Sequence, residues 1–159
     1  MALQFARPTE TITQGIWNPY PDQPLWQCLD EETPNDDTDY IESHNNTSTT
    51  YVTKLSFAET IPLGSGLIVR WRMYVSWTSA AINCLLYQGS TQIAHLGTKK
   101  PIVWTTYEVT LTEAQYSSIT DYSDLRLRFI FSPGFATYGY VTWAELQVTD
   151  GFNPKIFYF

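Results

Sequence analysis

Apolar and polar side chains alternate with a period of two through most of this chain, the pattern of strands half-buried against a core. Leu67, Val69, Trp71, Met73, Val75 and Trp77 alternate with Ile68, Arg70, Arg72, Tyr74 and Ser76, predicting one long strand with Trp71 and Trp77 in the core. Leu125, Leu127, Phe129 and Phe131 alternate in the same way with Arg126, Arg128 and Ile130. So do Tyr107, Val109 and Leu111 with Thr106, Glu108 and Thr110. Ala144, Leu146 and Val148 form another apolar row, but Val141 and Trp143 fall on the opposite parity, so a bulge or a two-sided strand is expected there. Residues 51–57 and 82–88 read as further strands, and Gly89-Ser90 turns the second of these into residues 91–96. The single helical pattern is short, residues 112–116, with Thr112 as N-cap and Glu113 in the first turn.

Some eight strands punctuated by Gly/Pro turns, with at most one short helix, predict an all-β chain: a single antiparallel β-sandwich, jelly-roll-like. One domain over residues 1–159 is expected, since no repeat, linker or boundary interrupts the pattern. Two segments differ from the rest. Residues 1–45 interleave prolines with aromatics, as in Trp17-Asn18-Pro19-Tyr20-Pro21 and Pro24-Leu25-Trp26, which suits extended edge segments. This portion is expected to wrap across the sandwich, pinned by Trp17, Trp26 and Tyr40. Residues 152–159 form an aromatic tail.

Charge sharpens this division. The chain of 159 residues carries a formal charge of −7, with nine Lys+Arg against sixteen Asp+Glu. Nine of the acids lie between Pro8 and Thr53, where there is no Lys or Arg, so the remainder is at +2. Nucleic acid is not an expected partner, because phosphate binding needs clustered cations. No apolar run approaches the ~18 residues of a membrane helix. Nor does the start of the chain pair a charged stretch with an apolar one, so neither a membrane nor a signal peptide is expected. Six Trp, eleven Tyr and eight Phe mark a chain that folds rather than a solvated acidic tail. Cys28 and Cys84 could form one bridge, but two buried free thiols is the plainer reading.

No catalytic constellation assembles from the sequence. His44 and His95 are the only histidines, Gly64-Ser65-Gly66 lacks the spacing of a nucleophile elbow, and no metalloprotease or nucleotide-binding motif occurs. Glu108 and Glu145 occupy the wet parity of ordinary strands rather than facing each other across a cleft. The chain is therefore read as non-enzymatic, without cofactor or metal. Asp36, Asp37 and Asp39 are the best oxygen ligands for calcium, yet they lack the spacing of a calcium loop, and charge runs are mostly solvated.

An interfacial role for the same acids pairs them with Arg70, Arg72, Arg126 and Arg128 of a neighbouring subunit; the competing reading pairs those arginines within their own chain or stacks them on Tyr74. Trp104 and Trp143 are the likelier surface rings, where a sugar could stack, although burial is the default for each. Ile156, Phe157, Tyr158 and Phe159 form an apolar run after a Gly/Pro break. Two arrangements are open for it: a last strand on its own sandwich, or a contact with a partner subunit.

The succession from Arg7-Pro8 to Gly15-Ile16-Trp17, then from Leu25-Trp26-Gln27-Cys28 through Asp30-Glu31-Glu32-Thr33-Pro34-Asn35-Asp36-Asp37-Thr38-Asp39-Tyr40-Ile41, resembles the opening of a jelly-roll domain common in tailed-phage virion proteins. The resemblance continues through Trp104-Thr105-Thr106-Tyr107-Glu108-Val109-Thr110-Leu111 and residues 119–129, and closes on Val141-Thr142-Trp143-Ala144-Glu145-Leu146-Gln147-Val148. It implies a virion structural protein of a bacteriophage, assembled in the host cytoplasm. The form expected is a capsid decoration or cement protein on the capsid surface, a homotrimer whose partners are the major capsid protein and its own copies. The alternatives are a carbohydrate-binding module, with a glycan as ligand, and a tail adaptor. No catalytic residues come with the resemblance.

Overall fold

The computed structural model describes residues 3–34, 38–43, 46–57 and 66–149. Among the described residues ten strands follow one another: β1 (Leu3–Thr13), β2 (Asn18–Tyr20), β3 (Tyr40–Glu42), β4 (Thr49–Phe57), β5 (Ile68–Val75), β6 (Ala81–Gln88), β7 (Thr91–Lys99), β8 (Thr105–Thr110), β9 (Leu125–Ser132) and β10 (Gly139–Thr149). The helix α1 (Glu113–Ser117) carries a capping box. Thr112 Oγ1 accepts from the Gln115 N–H and the Gln115 side chain accepts from the Thr112 N–H, which satisfies two donors that a short helix otherwise leaves bare.

All pairings are antiparallel, and the strands fold over into two layers. One layer runs β2-β3-β10-β5-β8 and the other β1-β4-β9-β6-β7. Strand β1 is common to both, since its start pairs with β10 and the rest with β4, with Ala6 facing both Leu146 and Phe57. Residues 3–13 depart from the expected wrap, since Leu3–Thr13 is a central strand paired on both sides. Pro8 survives there because the register shifts between Pro8 and Glu10, where a ladder donor is dispensable.

The alternation read from the sequence is realised in β5, whose Val69, Trp71, Met73 and Val75 are buried while Ile68, Arg70, Arg72 and Tyr74 are half-exposed. Trp77 does not share this parity. It is 67% exposed, because β5 ends at Val75, whose N–H donates to Pro101 O at 2.7 Å, and the chain turns away. The bulge expected in the last strand is present. Val141 faces Met73 and Trp143 faces Arg72, leaving Thr142 as the extra residue, so Val141 points inward and Trp143 outward. The hairpin turn has Gly89 at φ +56, a conformation that favours glycine. Cys28 and Cys84 are both free and buried, and burial pushes both thiols up, which keeps them unreactive.

The layers close on each other through aromatic side chains. Trp17 and Phe131 meet edge to face at 6.4 Å. Gly139 of β10 lies directly over Phe131 and Ile82 of the other layer, so a Cβ there would fall 2.7 Å from one ring carbon and 2.9 Å from the Ile82 methyl. Gly139→Ala is expected to cost about 1–3 kcal/mol by overpacking. Urea unfolding reads this as a lowered midpoint at unchanged slope.

Candidate ligand-binding face

The outer face of the β2-β3-β10-β5-β8 layer divides into an aromatic half and a polar half. Tyr20 of β2 is paired with Tyr40 of β3, and Tyr140 of β10 with Tyr74 of β5, so the pleat sends four rings from four neighbouring strands to one side. Tyr20 and Tyr40 stack at 5.0 Å, and Tyr74 and Tyr140 at 4.3 Å with 13° between the rings. Tyr40 meets Tyr140 edge-on at 5.4 Å and joins the two stacks. Trp104, just before β8, stands edge-on to Tyr74 at 4.6 Å, and Tyr138 lies 6.5 Å from Tyr140. Tyr20 is 55% exposed and the other rings are half-buried, so the cluster is a ridge open to solvent at its Tyr20 end.

One carboxylate accompanies the ridge. Glu42, paired with Tyr140, is pushed up by burial, and its charge helps push up the phenols of Tyr40, Tyr74 and Tyr140, where burial is the larger cause. Tyrosine hydroxyls held protonated beside an acceptor form a mixed donor and acceptor set next to flat apolar faces.

Beyond Trp143 the face becomes polar. Arg70 donates to Glu108 at 2.6 Å, to Glu145 at 3.2 Å and to Gln147 at 2.5 Å, while Arg7 reaches the second oxygen of Glu145 at 3.2 Å. Glu145, which the alternation places on a wet face, is in fact buried. Burial pushes its carboxyl up, and Arg7 and Arg70 oppose that shift. Arg7, Arg70, Glu145 and Gln147, with Phe5 and Trp143, line a cleft of about 560 Å³ walled by Glu32, Thr33 and Pro34. The wall is held in place by the Trp143 Nε1–H, which donates to Glu31 O at 2.8 Å and leaves this outward-facing ring only 5% exposed.

The sequence-predicted site residues are scattered by the fold. Arg70 and Arg72 belong to this face, and Arg72 donates to Thr106 Oγ1 at 2.9 Å. Arg126 and Arg128 lie on β9, in the other layer, so the four arginines form no single stripe. Arg126 pairs with Asp124 at 3.0 Å, and Arg128 covers the Tyr87 ring at 4.1 Å. Asp39 is half-buried, accepting from Gln23 Nε2 through its side chain and from Thr142 Oγ1 through its carbonyl. Asp36, Asp37 and residues 156–159 lie outside the described residues. Among the described residues no group of three His, Cys, Asp or Glu side chains is arranged to hold a metal ion.

Sequence reasoning missed the ridge as a unit. Its signal was present in aromatics on outward parity, Tyr74 in β5 and Tyr140 before the bulge, but the strand order that joins them to Tyr20 and Tyr40 is not local information.

No family model and no curated protein sequence matches the chain. Solved structures do. "Family 16 Carbohydrate Binding Module-2" is similar at a TM-score of 0.50 and 10% identity, over 69% of this chain and 76% of that one. A family 29 carbohydrate-binding module from Piromyces equi is similar at 0.49 and 9% identity, over 94% of this chain and 93% of that one. TmCBM61, solved in complex with beta-1,4-galactotriose, is similar at 0.48 and 7% identity, over 91% of this chain and 86% of that one. The first of these likenesses concerns the fold alone, a jelly-roll β-sandwich, and that is the fold of this chain.

Proposed function

We propose that this chain is a non-catalytic glycan-binding module and that the ridge of Tyr20, Tyr40, Tyr140 and Tyr74 is its binding surface. The observation that carries the reading is the ridge itself, four rings in register across four strands and open to solvent at one end. A sugar ring offers an apolar face of C–H bonds and a rim of hydroxyls. Aromatic faces take the first, and neutral phenols with an adjacent carboxylate take the second. The polar half fits the same ligand class. Its arginines are matched by Glu108 and Glu145, so it presents paired donors and acceptors rather than a field of one sign. The fold likeness to a family 16 carbohydrate-binding module agrees with this reading. Binding without hydrolysis is favoured because Glu108 and Glu145 are tied to one guanidinium, Arg70, instead of flanking an open space for a scissile bond.

Affinity electrophoresis and calorimetry against a panel of polysaccharides test the reading. Tyr20→Ala and Tyr40→Ala are each expected to weaken binding by about 1–2 kcal/mol, roughly 5- to 30-fold. Tyr87→Ala, on the other layer, should leave binding unchanged. A panel without a single retarding glycan, or ridge variants that bind like the unaltered chain, would sink it.

The resemblance to tailed-phage virion domains supplies a setting for such a module, the surface of a phage particle. Within that setting a capsid cement role remains a proposal resting on the resemblance alone. Co-sedimentation with expanded empty capsids at defined stoichiometry would favour it over glycan binding.

A further inference from the structure

A second surface lies at the end of the sandwich where β5 stops and β10 begins. Three loops are tied together there. The Val75 N–H donates to Pro101 O, the Ser76 N–H to Tyr138 O at 2.9 Å, and the Tyr138 N–H to Ser76 Oγ at 2.8 Å. Gly134 rests against Ser79 with no room for a Cβ. These loops present Trp77, Ile102, Val103 and Phe135 to solvent, Phe135 at 93% exposure. Loop tips are ordinarily polar, and a group of large apolar side chains at one end of a small domain marks a contact surface.

The chain also contains the matching apolar segment, Ile156-Phe157-Tyr158-Phe159. It follows β10, which leaves the sandwich at the opposite end: Gly139 pairs with Val75 beside the loop tips, and Thr149 pairs with Leu3. At ~3.3 Å per residue the strand from Gly139 to Thr149 is about 33 Å long. A fully extended chain gains at most ~3.6 Å per residue, so Ile156 stays within about 25 Å of Thr149 and only Phe159, at about 36 Å, comes level with its own loop tips; the four residues cannot lie on them together. We infer that residues 156–159 of one copy dock on the Trp77, Ile102, Val103 and Phe135 end of a second copy. Because tail and acceptor lie at opposite ends, the contact is head-to-tail, and it closes into a ring or grows into a filament according to the rotation between copies. The inference stands apart from the glycan reading, whose residues Tyr20 and Tyr40 it leaves untouched.

A mixing experiment followed by sedimentation velocity tests it. The unaltered chain is expected to exceed monomer mass as concentration rises. The double variant Trp77→Ser/Phe135→Ser lacks the acceptor, and Phe157→Ser/Phe159→Ser lacks the tail. Each alone is expected to be monomeric, and an equimolar mixture to form a heterodimer and nothing larger, since one productive contact remains. An unaltered chain that stays monomeric, a variant that keeps the unaltered mass, or a mixture that stays monomeric overturns the inference. So does co-flotation of the unaltered chain and the tail variant with zwitterionic lipid vesicles in the absence of self-association, which would make lipid the occupant of the loop tips.

Discussion

Trp71→Ala is expected to lower the unfolding free energy by about 3–5 kcal/mol, a large share of the ~5–15 kcal/mol that holds a domain of this size. Trp71 is fully buried and central in its layer, paired with Ala144 on one side and Tyr107 on the other, whose ring lies 5.5 Å away. Truncation removes the transfer energy of the largest side chain and leaves a cavity that two facing sheets cannot close. Its indole Nε1 is buried with no hydrogen-bond partner among the described residues. Trp71→Phe therefore discards an unsatisfied donor along with part of the ring, and should cost much less than the alanine variant. Urea unfolding of both variants measures the difference. Similar losses for the two would mean that the six-membered ring of phenylalanine recovers none of the packing.

The second large effect is a dependence of stability on pH that originates in Glu31, which lies against Asp39. Among the described residues no donor reaches the buried Glu31 Oε2 or Asp39 Oδ1, and the two carboxyls face each other. Burial first, then the proximity of Asp39 and Asp30, pushes Glu31 up to about 8 from 4.5. A raised carboxyl stabilises the folded state through its protonated form. That contribution is complete below the unfolded value near 4.5 and is lost as pH rises through about 8. The limit for one proton is about 1.4 kcal/mol per pH unit, and solvent access to these half-buried groups brings the expected slope below it. The unaltered chain should therefore melt lower at pH 9 than at pH 6, by a few degrees at about 2–4 °C per kcal/mol. Glu31→Gln, which carries the donor permanently, should flatten the profile and raise the melting temperature at the alkaline end. An equally steep profile in Glu31→Gln would assign the slope to other groups, such as Glu42 or Glu145, which burial also pushes up. The consequence reaches the proposed ligand-binding face, because the segment carrying Glu31 forms the wall of the polar cleft and holds Trp143 through its carbonyl.

Local chemistry accounts for the parts of the fold that were legible without coordinates. Period-two alternation in residues 68–75 and 125–132 reflects one face on the core and one face outward, a property each strand has by itself. The bulge at Thr142 could be read because a one-residue insertion reverses parity within a single strand. The Thr112 cap and the Gly89 turn are likewise decided within a few residues. Where the reading failed, the deciding partner was distant in sequence. Trp77 kept its apolar parity on paper, but parity ceases to apply once a hydrogen bond to Pro101 ends the strand. Residues 3–13 carry too many polar side chains to announce a central strand, and their place is set by β4 and β10 on either side.

Charge shows the same division most clearly. The amino-acid sequence by itself determined an all-β sandwich, the inward side chains of residues 69–75 and 125–131 and an acidic first third, because alternation, turns and composition are local or additive properties. Only the tertiary structure decided which outward side chains share a face. It separated Arg70 and Arg72 from Arg126 and Arg128 by placing β5 and β9 in different layers, and it buried Glu145 between two arginines. It also brought Tyr20, Tyr40, Tyr140 and Tyr74 into one ridge from four separate stretches of chain. The physical reason is that alternation specifies which way a side chain points, whereas strand order, set by the packing of the whole core, specifies its neighbours.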